Sequence, residues 1–285
     1  MTTENTAQEW ESEIKSEDSL FSINLLEVWH YRDLLLMLVK RDYISFYKQT
    51  ILGPIWFFVQ PILTTVIYVL LFGQIAKLST DGSPQIVFYL AGITIWNYFS
   101  EALTKTSTVF AANAHIMGKV YFPRLIMPLS IVVSGLLNFA VQFGLFVLVV
   151  LYYTFVEGSI QPNIWIIATP LLILLMGAFS LGLGMVFSSL TTKYKDLVFL
   201  LNFGIQLFMY ATPVVYSITS IPEKFKWVIA ANPLTAIFEC FRYAFLGSGS
   251  FDPFGLVYSI LFAVVVLVLG VVIFNKAEKS FMDTV

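Results

Sequence analysis

A single cysteine in 285 residues, Cys240, excludes an intramolecular disulfide, and the isolated His30 and His115 have no metal-ligand spacing around them. Charge is scarce: 12% of residues are Asp, Glu, Lys or Arg, about half of what a soluble globular domain carries. No G-x-x-x-x-G-K-S/T phosphate loop occurs, and Gly118-Lys119-Val120 does not make one, so the chain is not its own P-loop ATPase. Two further arrangements are missing: a nucleophile-and-base pair at readable spacing, and paired acids in the polar loops that would hold a metal and a sugar diphosphate. The expectation is therefore a protein that is not by itself an enzyme. The N-terminus lacks a basic stretch followed by an apolar one, so a cleaved signal peptide is not expected. No internal repeat, low-complexity run or nucleic-acid signature is visible.

Apolar and aromatic residues are abundant instead. Hydrophobic residues make up 58% of the chain, with 27 Phe, 14 Tyr and 6 Trp. Runs of about 20 apolar residues are what a bilayer crossing needs. Six are found, over about 52–75, 86–108, 126–153, 163–190, 197–216 and 255–275. The second is the least apolar and the fifth the shortest. Twelve of the 16 Lys and Arg residues then fall on one side, Arg41, Lys48, Lys105, Arg124 and Lys193 among them. Lys77, Lys224, Lys226 and Arg242 fall on the other, which places both termini in the cytoplasm. The expected fold is an all-α membrane protein.

The polar flanks have their own pattern. Residues 1–22 hold six acids against Lys15 alone and read as a disordered acidic cytosolic tail, leaving 23–285 as the membrane domain. Asn24 and Glu27 have capping-box spacing. Behind them Leu25, Val28, Trp29, Leu35, Leu36, Val39, Tyr43 and Phe46 recur at helical intervals, predicting an amphipathic helix lying in the interface plane. Between the last two spans, short apolar patterns flank Asn232-Pro233, and each is too brief to cross. They predict two helices that dip into the outer leaflet and return.

Several spans carry polar stripes at steps of three, four or seven: Gln60, Thr64 and Tyr68; Thr94, Asn97, Glu101 and Thr108; Ser134, Asn138 and Gln142; Asn202, Gln206 and Tyr210. Such stripes serve as hydrogen-bonding glue between helices, or they line a passage for a polar cargo. Four helices striped alike favour the passage. Glu101 precedes Lys105 by one turn, so an interfacial ion pair is expected there rather than a proton relay.

One segment combines these signals: Arg41-Asp42, Tyr47-Lys48, Leu52-Gly53, Trp56 and Pro61 mark the entry into the first span. Together they resemble the N-terminal signature of the permease subunits of polysaccharide-exporting ABC transporters, the group for O-antigen, capsule and teichoic acid. Phe122-Pro123-Arg124 with Pro128, Thr212-Pro213-Val214-Val215-Tyr216-Ser217, and Asn232-Pro233 through Arg242-Tyr243 resemble the same family, and the likeness runs from about residue 25 to the C-terminus. The resemblance implies a bacterial inner-membrane permease that exports lipid-linked polysaccharide, O-antigen foremost. It would work as a homodimer with two copies of an ATP-binding cassette subunit, which would bind ATP and Mg; no cofactor is expected in this chain. It also implies coupling to that subunit through the helix around 25–47, through His115, Lys119 and Arg124, and through Lys193 and Lys195.

For the passage the candidates are Trp56, Gln60, Tyr68, Phe72, Tyr89, Trp96, Asn97, Gln206 and Tyr210, whose rings would stack on sugar faces and whose amides would meet hydroxyls. Arg41, Lys48 and Arg124 are candidates for the lipid pyrophosphate, beside plain positive-inside anchoring. Teichoic acid, capsule or drug export by the same architecture, and a membrane-embedded sugar-lipid enzyme or flippase, stay open as alternatives.

Overall fold

The computed structural model describes residues 25–48, 53–117, 119, 121–249 and 251–282. Every regular element among them is helical. The acidic tail and Asn24 lie outside the described residues.

The chain opens with α1 (Leu25–His30) and α2 (Arg32–Tyr47). Tyr31 separates them, yet the bonds from Tyr31 N to Glu27 O and from Leu35 N to Tyr31 O carry the helical spacing through the break. The single helix expected here is thus two pieces in near continuity. It has two apolar sides. Leu38 is buried with Phe110, Phe122, Ile126 and Phe274, while Trp29, Leu36 and Met37 are exposed. A helix at a membrane surface needs one side for protein and another for lipid.

The next helix, α3 (Trp56–Tyr68), follows a 3-10 turn at Gly53–Ile55 and contains Pro61, which cannot donate to the preceding turn. Thr65 Oγ1 back-bonds to Pro61 O at 2.7 Å. Its last stretch, Val69–Ile75, is a π-helix, with the Ala76 N to Leu71 O bond at 2.9 Å closing the wider ring. Then come α4 (Gln85–Ser107), α5 (Val109–Met117), α6 (Ile126–Phe155) and α7 (Thr169–Lys193), the last entered through a 3-10 segment at Ile164–Ala168. Asn163 caps that entry, its Oδ1 accepting from Trp165 N and its Nδ2 donating to Tyr243 O. The chain ends with α8 (Leu197–Tyr210), α9 (Glu223–Ala230), α10 (Thr235–Leu246) and α11 (Pro253–Met282).

Among the described residues five helical stretches are long and apolar enough to cross a bilayer: Trp56–Ile75, Gln85–Ser107, Ile126–Phe155, Ile164–Lys193 and Pro253–Ala277. The remaining apolar run, 197–216, is the 14-residue α8 followed by turns. At 1.5 Å per residue, α8 is about 21 Å long, against a hydrocarbon core of about 30 Å.

The packing inverts the soluble rule. Least apolar of the five, α4 sits in the middle, 16 of its 23 residues buried against α7, α6, α3, α8 and α10. The most apolar, α11, lies at the edge, where Leu261, Val265 and Leu269 stay exposed. In a membrane, burial against protein permits polar residues and exposure to lipid forbids them. Close approach comes from small residues: a Cβ on Gly270 of α11 would lie 2.5 Å from the carbonyl oxygen of Gly182 on α7.

Beyond α8 the backbone is irregular, and α10 holds it in place. Arg242 is buried, its guanidinium donating to Val214 O (2.6 Å) and Tyr216 O (3.2 Å). It lies 3.8 Å over the Phe88 ring and 3.6 Å from Glu239. Gly92 on α4 leaves room for the Val214 carbonyl, which a Cβ there would strike. In the turn before α4, Asp81 adopts a left-handed conformation (φ 52°) and accepts from the hydroxyls of Ser217 and Thr219. The expected pair of short helices on either side of Asn232-Pro233 is α9 and α10. The first is exposed through Phe225 and Trp227, and the second is almost wholly buried.

Candidate functional site

Three helices bring their polar stripes to one place. From α4, Trp96, Asn97, Ser100, Glu101, Thr104 and Lys105 follow steps of one, three and four and share a face. Opposite them α8 contributes Asn202, Ile205, Gln206, Met209 and Tyr210. Trp56, Phe57, Gln60 and Tyr68 of α3 form the third wall, and Gln142 of α6 reaches in from behind. The space enclosed is about 750 Å³ and half open.

Hydrogen bonds fix the α4 wall. Asn97 Nδ2 donates to Gln142 Oε1 (3.0 Å), and one turn on, Asn138 Nδ2 donates to Glu101 Oε1 (2.8 Å). Lys105 Nζ meets the same carboxylate oxygen at 2.6 Å, so the Glu101–Lys105 ion pair exists and is tied to α6. The Tyr68 hydroxyl reaches Met209 Sδ at 3.5 Å and links the α3 and α8 walls.

Seven of the nine passage candidates line this cavity: Trp56, Gln60, Tyr68, Trp96, Asn97, Gln206 and Tyr210. The other two stand behind the wall. Tyr89 is fully buried, and Phe72 and Tyr89 pack on Tyr68 at ring-centroid distances of 5.4 and 6.4 Å. The aromatic lining residues differ in what they offer. Trp56 and Tyr210 are 45% and 54% exposed and present ring surface, whereas Trp96, 6% exposed, is spent mostly on Phe99 and Phe208. Ser100, just before Glu101, and Thr104, nearly one turn after it, share its face but were absent from the candidates, because hydroxyls on a helix usually bond their own backbone. Ser100 does so, to Asn97 O at 3.3 Å. Thr94, in the same stripe, bonds Leu90 O and is fully buried.

A second cleft of about 420 Å³ lies between α2, α4, α5 and α6, lined by Arg41, Ser45, Lys105, Thr108, Asn113 and Ser134 among others. Arg41 is held by Asp42 (2.8 and 2.9 Å). Lys48 is exposed and Arg124 buried, and neither lines that cleft. Of the coupling candidates, His115 is exposed on α5 and Lys119 is exposed beyond it, while Arg124 precedes α6. Lys193 ends α7 with its ammonium 5.4 Å from the Tyr194 ring, and Lys195 lies in the exposed turn before α8.

Among the described residues no group of three or more His, Cys, Asp or Glu side chains is placed to hold a metal. Amides, hydroxyls and aromatic rings around one ion pair make a lining with many interchangeable hydrogen-bond donors and acceptors.

A helical bundle with, among the described residues, five stretches long and apolar enough to cross a bilayer, and with a polar cavity walled by three of its helices, defines a multi-pass membrane protein. Residues 33–246 match the family described as ABC-2 type transporter. The chain belongs to that family. It is 31% identical over 252 residues to an O-antigen export system permease protein RfbA of Klebsiella pneumoniae, covering 88% of this chain and 94% of the relative. The RfbA of Myxococcus xanthus is 26% identical, over 91% of this chain and 98% of its own length. The capsule polysaccharide export inner-membrane protein CtrC of Neisseria meningitidis serogroup A is 21% identical over 85% of this chain and 90% of its own length.

Proposed function

We propose that this chain is the permease of an exporter carrying lipid-linked polysaccharide, O-antigen foremost, across a bacterial inner membrane. One observation carries the reading: polar and aromatic residues from α3, α4 and α8 line a single cavity whose chemistry matches sugar hydroxyls and sugar faces. Relatives at 26–31% identity are named for O-antigen export, and the capsule exporter CtrC is 21% identical, which supports O-antigen over capsule.

In this reading ATP and Mg are bound by a separate ATP-binding subunit, present twice, and two copies of the chain pair in the membrane. Both termini face the cytoplasm. The α8 helix and the irregular segment 211–217 complete a sixth crossing, and α9 with α10 dips into the outer leaflet and returns. The exposed side of α1 and α2 rests at the inner surface beside the ATP-binding subunit. His115, Lys119 and Arg124 form the main contact with it, and Lys193 with Lys195 a shorter one. Arg41, Lys48 and Arg124 attract the lipid pyrophosphate.

Replacing Trp56 and Tyr210 together with Ala tests the cavity. Each lost ring contact weakens binding by about 1 kcal/mol, so surface polymer falls by about tenfold or more while the ATP-binding subunit still co-purifies. Undiminished surface polymer in that variant would remove the cavity from the export path.

A further inference from the structure

Charge is nearly absent from the cavity wall. Among the described lining residues it is confined to Glu101 and Lys105, joined at 2.6 Å, with Asn138 also on the carboxylate. Every other polar contribution is neutral: the amides of Gln60, Asn97, Gln142, Asn202 and Gln206, and hydroxyls on α3, α4 and α8. We propose that the cavity admits polymers of uncharged sugars and discriminates against repeat units bearing a carboxylate or phosphate. The proposal rests on the reading of this cavity as the polymer path and narrows its substrate class.

The argument is one of solvation and pairing. A sugar hydroxyl both donates and accepts, as does an amide side chain, so a neutral unit exchanges water for wall groups of the same kind at every step. A carboxylate only accepts. Half-enclosed among the Trp56 and Tyr210 rings and apolar helix faces, it loses hydration and needs a cation or converging N–H donors in return. The one lining cation, Lys105, is already neutralised by Glu101. It also lies eight residues along α4 from Asn97, about 12 Å at the helical rise. Arg41 lines the neighbouring cleft between α2, α4, α5 and α6, which shares Lys105 with the cavity, and is not among the cavity's lining residues.

The test uses the full chain in nanodiscs, with Trp10, Trp29, Trp165 and Trp227 changed to Phe so that emission comes from Trp56 and Trp96. Maltoheptaose and heptagalacturonate serve as neutral and anionic probes, titrated by fluorescence quenching. The neutral probe is expected to bind at least about tenfold more tightly, a gap of about 1.4 kcal/mol. Glu101→Gln releases Lys105 and narrows the gap; Lys105→Gln leaves Glu101 unpaired and widens it. Equal affinity for the two probes, or a gap that neither substitution moves, overturns the charge selection while leaving the sugar site standing. Quenching by neither probe overturns the sugar site itself, and the selection with it.

Discussion

Asn97 on α4 donates to Gln142 on α6 across 3.0 Å, and both residues also line the cavity. Two readings of a polar stripe, glue between helices and wall of a passage, are here properties of the same side chains. An amide has capacity for both: Asn97 spends one N–H on Gln142, leaving its second N–H and its carbonyl oxygen for a ligand.

Asn97→Ala therefore loses packing as well as lining. Hydrogen bonds between membrane helices are worth about 0.6 kcal/mol on average and up to about 1.7. A thermal-denaturation cycle with Gln142→Ala should return a coupling energy in that range. Strict additivity would show that the two amides do not interact.

The Gly182–Gly270 contact makes a sharper prediction about the frame. Gly270→Val forces its side chain against the α7 backbone, where nothing flexible can yield, and should cost about 1–3 kcal/mol through separation of α7 and α11. Gly144 on α6 is the matched control, since a Cβ there meets nothing within 4 Å. Gly144→Ala should be neutral or stabilising by up to about 1 kcal/mol, as Ala favours a helix over Gly. Detergent melting curves separate the two.

Arg242 holds the backbone beyond α8 through two carbonyls, and its removal leaves Glu239 without that partner. Breaking a buried pair on one side costs about 3–5 kcal/mol, whereas replacing both ends by apolar groups is often near neutral. Arg242→Met should thus unfold at much lower temperature than the parent, and Arg242→Met with Glu239→Met should recover most of the loss. Equal damage from the single and double variants would locate the effect in the lost carbonyl bonds alone.

The two aromatics behind the wall give a contrast with those on it. Tyr89→Phe removes only a buried hydroxyl that has no hydrogen-bond partner among the described residues, so export should be unchanged and stability equal or slightly higher. Gln206→Leu, on the lining, should reduce export without lowering the melting temperature. Surface-polymer blots beside melting curves check both.

Much of this was readable beforehand because membrane helices advertise themselves by length and composition. Boundaries at Gln85–Ser107 and Ile126–Phe155 fall within two residues of the apolar runs. The stripe spacing also carried most of the cavity, since period fixes which residues share a face. Depth and neighbours did not follow from spacing. Tyr89 belongs to an aromatic run that the structure turns inward, and Phe72 sits on a π-helix, where a wider turn changes which residues align with Tyr68. The helix at 197–216 ended early because Pro213 cannot donate and the backbone beyond Tyr210 is taken up by Arg242 rather than by helical bonds. That buried arginine was read as a charge on the outer side and as part of the family-like segment Asn232–Tyr243, not as a buried anchor. Nothing in local sequence indicates that its partners are carbonyls 26 and 28 residues earlier.

The most direct measurement places a thiol in the cavity and asks whether polymer still passes. In a background with Cys240 changed to Ser, Gln206→Cys is compared with Phe254→Cys at the start of α11, which is 86% exposed and away from the lining. Both are treated with N-ethylmaleimide in cells making polymer. The expected result is modification at both positions, with arrest of surface polymer only for Gln206→Cys. Continued export with Gln206→Cys fully modified would contradict a polymer path between α3, α4 and α8.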